Sequence, residues 1–158
     1  MTASTTEKKH TFKPAFKADE ALGANLQRVA VDMINLHVVG KQAHWNVVGK
    51  NFRDLHLQLD EIIDDARTFA DEMAERMRAL HAVPDGRSVA VAEGTRIQPF
   101  PAGLVSTKDT VGLVVNMLNA SVKTMRDVHD QIDEEDPTTA DLLHGFIAKL
   151  EQLSLIHI

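Results

Sequence analysis

Residues 41–76, KQAHWNVVGKNFRDLHLQLDEIIDDARTFADEMAER, decide how the rest of the chain is read. From Phe52 to Leu80 there is neither proline nor glycine, and apolar residues return at helical intervals, which predicts one long helix. His56 and Asp60 stand four residues apart, as do Asp71 and Glu75, so each pair occupies one helical face. Eleven residues separate Asp60 from Asp71, close to three turns, so all four side chains fall on one stripe. Imidazole and carboxylate on a single stripe suit a transition metal such as iron or manganese.

Distance along the axis sharpens this. At ~1.5 Å rise per residue, Asp60 and Asp71 lie roughly 16 Å apart, more than one ion or an ordinary metal pair spans. The four positions are, however, symmetric about the midpoint between Asp65 and Ala66. An antiparallel second copy, related by a two-fold axis there, would set His56 and Asp60 of one chain against Glu75 and Asp71 of the other. Such an interface creates every site twice. A solvated acidic face carrying two incidental histidines fits the same spacing.

The stretch also resembles a known family. H-W-N-V, a glycine turn, F-x-x-L-H-x-x-x-D and then D-x-x-x-E-R occur here in order, from His44 to Arg76. This is similar to the pattern of Dps, the DNA-binding protein from starved cells, a twelve-subunit ferritin-like cage. The resemblance implies that His44, His56 and Asp60 bind iron together with Asp71 and Glu75 of a two-fold mate. It implies an all-α, ferritin-like four-helix bundle with a short extra helix between the second and third long helices. It further implies a ferroxidase that oxidises Fe²⁺, with hydrogen peroxide as preferred oxidant, and stores ferric mineral, protecting DNA from oxidative damage.

Composition bounds the alternatives. The chain has 158 residues, 44% apolar but only 4% aromatic, with no cysteine. One domain with a single helical core follows, and neither a disulfide framework nor a thiolate metal site is possible. No apolar run approaches the ~20 residues of a membrane span, and no signal-peptide pattern opens the chain, so a cytoplasmic protein is expected. The net charge of −6 opposes a basic nucleic-acid surface on the folded body.

Residues 1–17 differ from the rest. Lys8, Lys9, Lys13 and Lys17 stand against Glu7, and the segment has little to bury, so it reads as a flexible basic tail preceding a domain over 18–158. Twelve such tails on a cage would bind DNA through avidity and counterion release, which would make the protein nucleoid-associated. A merely solubilising terminus has the same composition.

Leu22 to Val47 reads as the first long helix, with Leu26, Val29, Ala30, Met33 and Leu36 inward and Gly40 marking a close approach. Lys41 shares a face with His44, which gives it a supporting role beside the metal ligands. Trp45 reads as core, although the resemblance places it near the iron site as a radical acceptor; His37 reads as packing or surface. Gly49–Asn51 is a turn, with Asn51 as N-cap of the second helix. In residues 81–103 three prolines and three glycines forbid a continuous helix, leaving SVAVAE as a short one.

Ser106 caps a third long helix reaching Asp133, whose middle, VGLVVNMLNASVKTM, holds no carboxylate. Di-iron sites within one bundle place Glu-x-x-His on two helices. Here the nearest equivalent is Asp141 and His144 with no acid opposite, so the intersubunit site also stands by elimination. Thr138 or Thr139 caps the fourth helix, and its acidic start fits a capped, solvated corner. The resemblance instead makes Asp141, then Asp136, candidates for a three-fold iron-entry pore. The final LEQLSLIHI departs from the family, which usually carries an aromatic near Leu155, so the three-fold contact made by this helix end is in doubt. Two further functions compete with ferroxidase: a structural DNA-compacting protein acting through the lysine tail, and a helical metal-dependent phosphohydrolase. The second lacks the His-Asp dipeptide that its cleft requires, except at His129.

Overall fold

The computed structural model describes residues 14–157; Lys8, Lys9 and Lys13 lie outside them. Four long helices carry the fold: α1 (Glu20–Asn46), α2 (Phe52–Ala79), α4 (Thr107–Glu135) and α5 (Pro137–Ser154), with a short α3 (Ser88–Gly94). The fold is all-α, as the composition and periodicity predict. A single 3₁₀ turn, Leu155–His157, follows α5.

The apolar periods account for the packing. On α2, Leu55, Leu59, Ile62, Ile63, Ala66, Met73 and Met77 form one buried stripe. α1 is buried almost all round, through Leu22, Leu26, Val29, Val31, Met33, Leu36 and Val39. It touches α2, α4 and α3, and so is the central element. At Gly40 an added Cβ would lie 2.8 Å from Ile63 Cγ1, which explains the glycine inside a helix: α1 and α2 meet there.

A two-residue bridge fixes the topology. β1 (Val47–Val48) pairs in parallel with β2 (Val105–Ser106), Val47 opposite Val105. The end of α1 and the start of α4 therefore meet at the end of the bundle where α2 begins. At the opposite end Asn25 Nδ2 donates to Gln131 Oε1 at 2.9 Å, so α4 runs antiparallel to α1 and parallel to α2. The α2–α4 connection thus crosses the bundle's length, fastened along α1. Gln27 exchanges two hydrogen bonds with the Asp85 backbone, and buried Asp32 accepts from Thr95 Oγ1 and Arg96 N, each at 2.8 Å. α3 packs on α1 from within this connection.

Asn51 stands at the N-cap of α2, as expected, and only the α5 cap falls on a different residue type. Asn51 has φ 59° and makes no side-chain cap bond; its left-handed backbone closes the turn instead. Ser106 does cap α4, accepting from Asp109 N. The fourth helix begins with Pro137 at its first turn, not after a threonine cap, because Asp136 alone joins α4 to α5. Among the described residues no helix is long and apolar enough to cross a membrane.

Candidate metal centre

The last turns of α1 and the first turns of α2 carry three of the five predicted donors, and the short turn between them folds one onto the other. His44, His56 and Asp60 each present a donor atom within 4.8 Å of the other two. His44 Nε2 lies 3.0 Å from Asp60 Oδ1, and Lys41 Nζ donates to the same oxygen at 3.0 Å. The His44 and His56 rings stack at 3.6 Å, and Phe52 also stacks on His56, at 4.9 Å.

Protonation follows from the partners. His56 Nδ1 lies 3.1 Å from the His44 carbonyl, which only accepts, so Nδ1 carries the proton and Nε2 keeps its lone pair for a metal. His44 Nδ1 is buried with no hydrogen-bond partner among the described residues, and the equally buried Nε2 has only the Asp60 carboxylate. A buried polar atom left so is costly unless something else engages it. The Lys41 ammonium holds the Asp60 carboxyl below the ordinary carboxylate range, with His44 adding to the effect and burial opposing it. Two imidazoles and one carboxylate fit iron, and three donors leave the remaining coordination positions open.

The other predicted residues are placed elsewhere. Asp71 and Glu75 are exposed farther along α2 and do not join the three-residue cluster within one chain. Trp45, expected in the core, is 70% exposed: it follows His44 in sequence but points away from the bundle. His37 is half-buried, its Nδ1 3.4 Å from the Ile63 carbonyl, and is no part of the cluster.

Asp141 is exposed at the start of α5. Asp136, the second choice for a pore, is buried within the protomer. It is 8% exposed and accepts from Arg76 Nη2 at 2.7 and 2.9 Å and from the Thr139 hydroxyl. Its charge is spent inside the protomer. Arg76 itself, read in sequence only as the end of a motif, ties the end of α2 to the α4–α5 corner; nothing in its local spacing announces the partner sixty residues away.

Known proteins agree with this architecture. The ferritin-like domain family matches residues 23–153. A DNA protection during starvation protein of Halobacterium salinarum is 49% identical over 134 residues, covering 84% of this chain and 71% of its own length. DNA protection during starvation protein 1 of Deinococcus radiodurans is 32% identical over 138 residues, 87% of this chain and 67% of that protein. Among solved structures, Dps from Microbacterium arborescens in its high iron form superposes with a TM-score of 0.82 at 33% identity, covering 90% of this chain and 96% of that one. With its bundle, its crossing helix and its sequence shared across most of its length, this chain belongs to the Dps family of ferritin-like proteins.

Proposed function

We propose that this protein is a ferroxidase and iron-storage cage that binds Fe²⁺ at sites shared between two-fold-related subunits. His44, His56 and Asp60 supply one side of each site, and Asp71 and Glu75 of the partner subunit supply the other. The observation that carries the reading is the convergence of three donors at one point, with His44 Nε2 turned to Asp60 Oδ1 inside it. A three-donor half-site on a surface is what a shared centre leaves on each chain. Phe52, which stacks on His56, is 44% exposed, so apolar surface beside the site is open to a partner.

Fe²⁺ is the substrate. Two Fe²⁺ ions each give one electron to hydrogen peroxide, whose O–O bond breaks to yield two hydroxide ions, leaving two Fe³⁺ for the mineral. Oxidation in this manner consumes peroxide without releasing a hydroxyl radical. Lys41 keeps Asp60 ionised and fixed in direction, so that it meets an incoming ion as an anion. Anaerobic titration of the size-characterised assembly tests the proposal. Fe²⁺ is expected to saturate at about two sites per dimer, as two-fold symmetry requires, and peroxide to convert it rapidly to ferric product. An assembled cage that binds no Fe²⁺ at His44 would refute it.

The relatives' names, DNA protection during starvation, favour a DNA-associated role as well. We assign it to the lysines of 1–17, with the ferritin-like unit over 18–158 carrying the iron chemistry in a dodecamer. Removing residues 1–17 is expected to abolish any salt-sensitive DNA shift and leave iron oxidation unchanged. Loss of oxidation in a still-assembled deletion would contradict this division.

A further inference from the structure

A second pair of histidines meets where α4 ends and α5 begins. His129 Nε2 and His144 Nε2 lie 2.7 Å apart, across an open groove lined by Arg126, Asp130, Ile147 and Glu151. The other nitrogen of each ring faces a carboxylate: His129 Nδ1 lies 3.1 Å from Asp130 Oδ1, and His144 Nδ1 lies 3.5 Å from Asp141 Oδ1. An ionised carboxylate only accepts, so His129 carries a proton on Nδ1, which leaves its Nε2 lone pair to accept from His144 Nε2. A metal ion can take the place of the proton shared between the two Nε2 atoms.

We propose that His129 and His144 form a divalent transition-metal site, separate from the iron centre and independent of the ferroxidase reading. Two nitrogens bound cis at about 2.0–2.1 Å from one ion stand roughly 3 Å apart, so a small opening of the rings admits the metal. The Asp130 carboxylate on the far nitrogen orients the His129 ring, the arrangement that surrounds metal-bound histidines generally. The charges nearby favour a cation: Asp130, Asp141 and Glu151 stand against Arg126 alone, and Arg126 already pairs with Glu151 at 2.5 Å. With two imidazoles and water as ligands, the site prefers Zn²⁺, Ni²⁺ and Cu²⁺ over Fe²⁺.

The pair was not visible in sequence, because fifteen residues and a helix corner separate its members. Asp141 and His144 show the acid-x-x-His spacing, but the second imidazole comes from a different helix.

Zinc titration of the assembled protein, read by calorimetry near neutral pH, tests the assignment. The double variant His129→Asn with His144→Asn is expected to lose one zinc ion per chain. Asp130→Asn is expected to weaken that site about tenfold, and Asp71→Ala to leave it intact. A double variant that keeps the full zinc stoichiometry would overturn the proposal. Anomalous diffraction at the zinc edge on the unmodified protein makes the test independent of how the variants fold. A peak between the two Nε2 atoms is expected, and zinc bound elsewhere with none between them would also overturn it.

Discussion

Mixing Asp71→Ala protein with His56→Ala protein, each inactive alone, is expected to restore about a quarter of wild-type ferroxidase activity, because a two-fold interface forms each site from two chains. Random re-pairing makes half of the dimers mixed. In a mixed dimer one site takes its histidine from the Asp71→Ala chain and its aspartate from the His56→Ala chain, and so is intact. The other site inherits both defects. Neither substitution has a structural reason to prevent folding: Asp71 is exposed, and His56 is only half-buried. Stopped-flow measurement of iron oxidation after exchange, with mixed dimers verified by mass spectrometry, gives the answer. Recovery of no activity would mean that each chain carries its own centre, and Asp71 and Glu75 would lose their assignment.

The second large effect concerns stability. Arg76→Leu is expected to destabilise the subunit by about 3 kcal/mol or more, since removing one partner of a buried ion pair leaves the other charge uncompensated. The remaining carboxylate, Asp136, is 8% exposed and would keep only the Thr139 hydroxyl. Asp136→Ala is expected to cost less, because the longer Arg76 side chain is 22% exposed and can turn its charge to water. The double variant should cost less than the two single changes added together. Urea unfolding midpoints of the four proteins measure all of this. Equal costs for the single variants would show that Asp136 is less dependent on Arg76 than its burial indicates. The contact joins the end of α2 to the single residue between α4 and α5, so its loss loosens three helices at once.

These residues show which kinds of information were local. The long α2 was legible because its apolar stripe has an uninterrupted 3.6-residue period, and its start and end follow the turn and proline–glycine signals around it. His56 and Asp60 were legible because one helical turn places them together whatever the rest of the chain does. Gly40 and Ser106 likewise announced a close approach and a cap. The threonines of the last corner misled, because that cap was inferred from residue type alone, and a one-residue linker puts Asp136 at the cap. Asn51 does hold the cap position of α2, but through a left-handed backbone and not a side-chain bond.

Trp45 was assigned to the core by its hydrophobicity, yet helix direction turns it outward. Nor did acidity distinguish Asp136 from Asp141: both read as carboxylates at a corner, and only the approach of Arg76 makes one a buried acceptor while the other stays in water. The sequence by itself determined the helices, their apolar faces and the donors that share a stripe, since these depend on neighbours within a few turns. Only the tertiary structure decided that His44 folds onto His56, that Arg76 reaches Asp136 and that His129 meets His144. Those contacts are made by helices crossing in space, and their geometry is set by how the whole core packs rather than by any spacing along the chain.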